Sequence, residues 1–101
     1  MNKQSQNYTL RGIVVRTDPV ESIGSVTKRE VIVNDADPRY PSTVAVEFVG
    51  DDRVALLVTI QAGAEVEVDF FLAGREWGGR HYVSLRGIAI RTVFSNEGPM
   101  Q

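Results

Sequence analysis

Along most of this chain, apolar and polar side chains exchange places at every second residue, the period of a half-buried β-strand. The first such run is Tyr8 to Thr17, where Leu10, Gly12 and Val14 take one face and Arg11, Ile13 and Val15 the other. Asp18-Pro19 ends it, a loop carrying Gly24 follows, and a second strand is predicted over Val26 to Asn34. The turn-rich stretch Asp35 to Pro41 breaks the ladder with two prolines, and a third strand is predicted over Ser42 to Val49, with Val44, Val46 and Phe48 in phase. Gly50-Asp51-Asp52 opens a predicted helix that runs through Gln61 on a stripe of Val54, Leu57 and Val58, and Gly63 stops it. Strand four, Ala64 to Arg75, turns Val66, Val68, Phe70 and Leu72 inward and Glu65, Glu67, Asp69 and Phe71 outward. Strand five is expected from Arg80 to about Phe94.

Three strands, a short helix and two strands, with Gly12 and Gly87 in mid-strand where a small barrel must curl, is the element order of the OB-fold. The expected architecture is therefore all-β, a five-stranded Greek-key barrel with the helix between strands three and four. A chain of 101 residues holds one such domain. Its expected organisation is a polar leader at residues 1–7, the barrel at 8–94 and a short tail at 95–101.

The barrel pattern leaves function open, and the candidate chemistry sits in one place. Between strands four and five, Gly78-Gly79 supplies the positive φ values of a tight hairpin turn. The only Trp (Trp77), the only His (His81), Arg75, Arg80 and Tyr82 crowd around that turn. Net charge is −2, so the molecule as a whole is not the basic body expected of a duplex-DNA binder, and distribution must decide. Nine of the eleven basic residues are Arg, which stacks on a base and forks onto a phosphate at once. The chain has no Cys, which removes thiol chemistry and cysteine zinc sites, and His81 has no partners for a metal site or a catalytic triad. Glu65, Glu67 and Asp69, two residues apart on one strand, spread over about 13 Å, too far for one ion. No cofactor is implied, and the reading is a binding module rather than an enzyme. No apolar run reaches the roughly 20 residues of a membrane helix, so the expected location is the cytoplasm, away from any membrane.

Particular stretches sharpen this. Leu10-Arg11-Gly12-Ile13-Val14 followed by Asp18-Pro19 resembles the first strand and loop of bacterial and phage single-stranded DNA-binding proteins. Val46-Glu47-Phe48-Val49-Gly50 resembles the end of their third strand. Ala62 to Val68 and Leu72 to Trp77 are similar to their fourth strand and its aromatic-tipped hairpin. The resemblance implies a small, tailless, homo-oligomeric relative, dimer or tetramer, that binds single-stranded DNA without sequence preference in replication or recombination, with RNA open as a further ligand. It also implies that Phe48 and Trp77 stack bases, while Arg75, Arg80, Lys28 and Arg29 follow the phosphates and Tyr82 adds a ring on the strand-five face. The sequence departs from the family at Ser42, where a stacking Trp is common.

Other readings of the same residues stay open. The phase of Phe48 with Val44 and Val46 places it equally in a core, and Trp77 serves equally as an interface anchor. Lys28 and Arg29 point to opposite faces, so one surface holds one of them. Arg11 is placed to pair with Glu67 or Asp69 across the sheet, and outward Ile13, Val15 and Phe71 suggest a subunit contact. The alternative function is an OB-fold adaptor that binds a protein through Trp77 and does not bind nucleic acid.

Overall fold

A computed structural model describes residues 6–93 of the chain. The expected tail and Phe94 lie outside the described residues, as does the expected leader apart from Gln6 and Asn7. The strands are β1 (Tyr8–Thr17), β2 (Glu21–Ile23), β3 (Val26–Asp35), β4 (Thr43–Val49), β5 (Glu65–Trp77) and β6 (Arg80–Thr92), with helix α1 (Asp51–Ala55) between β4 and β5. The five long strands are those expected from alternation. The sixth, β2, falls in a loop of the sequence reading and pairs back on β3 as a hairpin about Gly24. Three residues are too few for alternation to register.

The pairings run β1, β5, β6, β4, β3 and return to β1, so the five long strands form a ring with β2 at its margin. The ring depends on β1 serving two partners. Its first half pairs with β5, from Tyr8 opposite Phe70 to Ile13 opposite Glu65, and its second half with β3, from Gly12 opposite Asp35 to Thr17 opposite Val31. Gly12 sits where the two pairings overlap. A Cβ there would lie 2.0 Å from the Asn34 carbonyl oxygen, so only glycine lets the two backbones meet. Gly87 does comparable work in β6, beside the bulge that offsets Asp69 and Phe70, because a Cβ there would enter the Phe48 ring at 2.3 Å.

The core inside the ring is built from the inward faces predicted by period 2: Val14, Val31, Val33, Val46, Phe48, Val66 and Val68, closed at one end by Leu57 and Ile60. The helix is shorter than expected. It ends at Ala55, and the chain continues in i→i−3 turns, with Leu57 N donating to Val54 O and Ile60 N to Leu57 O. The buried stripe is consequently Val54, Leu57 and Ile60 at three-residue spacing, while the expected stripe residue Val58 is exposed. The β-branched run at 58–60 is poorly suited to a longer α-helix.

Candidate nucleic-acid interface

β1 reaches β5 only as far as Phe70, and β4 reaches β6 only at Val46 opposite Leu85 and Glu47 opposite Arg86. Beyond those points, residues 73–77 of β5 and 80–84 of β6 pair with each other alone and extend past the rest of the sheet as a two-stranded ribbon. Gly78 and Gly79, at φ 61° and 80°, make its turn, as their sequence position requires.

Directly opposed residues of an antiparallel pair share a face. Arg75 stands opposite Tyr82 and Trp77 opposite Arg80, so these four candidate residues lie on one face of the ribbon. Trp77 is 71% exposed and Tyr82 is 45% exposed, although each ring carries a large apolar area that water disfavours. Among the described residues neither Arg75 nor Arg80 has an ion-pair partner. The same face continues into a groove of about 620 Å³. Arg75, Tyr82 and Ser84 form its ribbon side, Lys28, Glu47 and Arg86 its floor, and Ile23, Val26 and Val49 an aliphatic wall.

Lys28 is thus brought to the groove, while Arg29 points the other way, as their adjacency demanded. Arg29 is half-buried and holds the loop after β1, its Nε donating to Asp18 O at 2.6 Å and Nη2 to Thr17 Oγ1 at 3.0 Å. It is occupied by structure rather than placed to follow phosphates. Phe48 also leaves the site. It is fully buried against Gly87 in the middle of the core, so of its two sequence readings the phase of the alternation is the correct one, and the stacking role is withdrawn. Tyr40 is exposed, with Arg39 5.9 Å above its ring.

Two groove residues, Glu47 and Arg86, were missed by sequence reasoning. Glu47 Oε2 lies 2.8 Å from Lys28 Nζ, and Arg86 Nε donates to Glu47 Oε1 at 2.8 Å. Nothing local could have found this triad, since it spans three strands and 58 positions of sequence, from 28 to 86. Burial pushes the Glu47 carboxyl up, but the hydrogen bonds and charges of Lys28 and Arg86 together outweigh it and hold the group below the ordinary carboxylate range. The Glu47 hydrogen bond likewise raises Lys28 above the usual amine value.

The outward carboxylate stripe is not bare either. Arg11 Nε donates to Glu65 at 2.8 Å and its Nη1 lies 4.0 Å from Glu67, while Arg91 bonds both Glu67 and Asp69. Arg11 was expected to meet Glu67 or Asp69; it takes Glu65 and Glu67, and Arg91 holds Asp69. The hydrogen bonds from Arg91 and then Thr9 lower the Asp69 carboxyl. Both Glu47 and Asp69 have depressed folded-state values, so their stabilisation is complete above the unfolded carboxylate range and is lost as pH falls through the folded values. Thermal melts are expected to drop steeply below about pH 4, and a Glu47→Gln, Asp69→Asn double variant should show a shallower acid limb. Parallel limbs would show that these two ion pairs do not set acid stability.

A ring of five long strands and a short helix between β4 and β5 define an OB-fold, with an open groove on its outer face. The chain belongs to the family described as "Domain of unknown function (DUF3127)", whose model matches residues 9–91. No curated protein matches its sequence. Among solved structures it shares its fold with three proteins named for single-stranded DNA binding. The mitochondrial single-stranded DNA-binding protein Rim1 of S. cerevisiae superposes with a TM-score of 0.71 at 14% identity, covering 89% of this chain and 97% of that one. The second single-stranded DNA-binding protein of Mycobacterium smegmatis gives 0.68 at 18%, covering 88% and 89%. A Synechococcus single-stranded DNA-binding domain gives 0.67 at 15%, covering 89% and 98%.

Proposed function

We propose that this protein binds single-stranded DNA without reading its sequence, as a non-enzymatic module, and protects exposed strands during replication or recombination in the cytoplasm. The observation that carries the reading is the ribbon face, where two exposed rings alternate with two unpaired arginines at the mouth of a groove. Flat rings stack on any base and arginines follow any phosphate, so such a surface has affinity and little sequence preference. A fold shared with single-stranded DNA-binding domains supports the same reading. Arg75, Trp77, Arg80 and Tyr82 are the proposed contacts, with Lys28 at the groove floor. Exposed Ile13 and Val15 on β1 support assembly with further copies, and RNA is a second ligand that the same chemistry admits.

The test uses the single Trp as its own reporter. Titration with oligo-dT is expected to quench Trp77 fluorescence, with affinity falling steeply as salt rises. Anisotropy of a labelled strand should agree. Absence of both signals at low salt would overturn the proposal and favour the adaptor reading.

A further inference from the structure

The groove floor carries two cations, yet its chemistry is not that of a phosphate site. Lys28 and Arg86 are both committed to one carboxylate, and only 13% of the Glu47 side chain is exposed between them. Lys28 also stands opposite Glu21 across the β2–β3 pairing, and Glu30 stands opposite Glu47 across β3–β4. An anion entering the floor would meet Glu47 at close range and would have to compete with it for both cations. The ribbon arginines, Arg75 and Arg80, present no such competition.

We infer that Glu47 is a specificity-determining residue of the groove: by occupying Lys28 and Arg86 it closes the floor to phosphate, so that a bound strand turns its bases toward the floor and its backbone toward Arg75 and Arg80. This rests on the nucleic-acid reading above and deepens it. The aliphatic wall of Ile23, Val26 and Val49 fits the same orientation, because apolar side chains lose nothing against a base face and gain nothing against a phosphate. The groove would then discriminate a single strand, which carries bases, from a polyanion that carries none.

The experiment compares the wild type with Glu47→Gln, which keeps the shape and frees both cations, and with Glu76→Gln, which makes the same change in net charge on the opposite face of the ribbon. Binding of oligo-dT and of inorganic polyphosphate is measured across a salt series, with circular dichroism melts to establish that each variant is folded. Wild type and Glu76→Gln are expected to bind oligo-dT and to bind polyphosphate weakly. Glu47→Gln should gain polyphosphate binding, and its log affinity for oligo-dT should fall with log salt more steeply by about 1.4, since each phosphate neutralised on a single strand contributes about 0.7. Equal behaviour of the two variants, or no gain on polyphosphate by folded Glu47→Gln, would overturn the inference while leaving single-strand binding standing. Failure of the wild type to bind oligo-dT would instead remove the reading on which it rests.

Discussion

Gly12→Ala is expected to cost the fold about 3 kcal/mol or more, the upper end of what forcing atoms into a packed interior costs. The added Cβ would fall 2.0 Å from the Asn34 carbonyl oxygen and 2.8 Å from a Val33 methyl. The oxygen belongs to backbone that is itself held in register between β1 and β4, so relief requires parting β1 from β3, where the ring of strands closes. Gly87→Ala meets the Phe48 ring at 2.3 to 2.6 Å, and that ring is fully buried in the core, so a similar loss is expected. Gly74 provides the control. Its nearest neighbour would be 3.7 Å from a new Cβ, an ordinary contact, and alanine there should be neutral or stabilise by about 0.5 kcal/mol through the unfolded chain. In a domain of this size each kcal/mol shifts the melting temperature by roughly 4–8 °C. A Gly12→Ala melt within a few degrees of the wild type would mean that β1 does not bridge its two partners as described.

The second large effect concerns binding. Trp77→Ala and Tyr82→Ala are each expected to weaken oligo-dT by about 1–3 kcal/mol, the range for removing one ring from under one base. Together they should lower affinity about thirtyfold or more, while leaving the salt slope nearly unchanged, because neither ring touches a phosphate. The fold should tolerate both, since Trp77 is largely in water and Tyr82 lies outside the buried core. Phe48→Leu gives the complementary result. It is expected to lower stability, as a change of shape in a packed core does, and to leave the affinity of the folded protein intact. Retention of full affinity by the Trp77→Ala, Tyr82→Ala double variant would move the strand off the ribbon.

Much of the site was legible because it is local. The ribbon is a continuous stretch whose turn demands Gly78-Gly79, and the register of a two-residue turn places Trp77 against Arg80 and Arg75 against Tyr82 without any distant information. Phe48 shows the limit of borrowing a role from resemblance: the alternation with Val44 and Val46 already pointed inward. A bulge near the end of that strand would have turned the ring outward. The bulges fall elsewhere, at Val14 to Arg16 and at Asp69 to Phe70, so the phase of β4 is undisturbed.

By itself, the sequence determined the five long strands, their inward faces, the barrel class and the hairpin with its aromatic and basic face, because period-2 alternation and glycine conformation are properties of neighbouring residues. It placed the bend of β1 at Gly12 and identified a bend in β6 at Gly87 on the same grounds. Only the tertiary structure decided that Lys28 and Arg86 share the Glu47 carboxylate, that Arg91 covers the acidic stripe with Arg11, and that Arg29 is spent on holding a loop. These partnerships join residues on strands distant in sequence. Their charge balance depends on which strand lies beside which, a quantity that no local pattern carries.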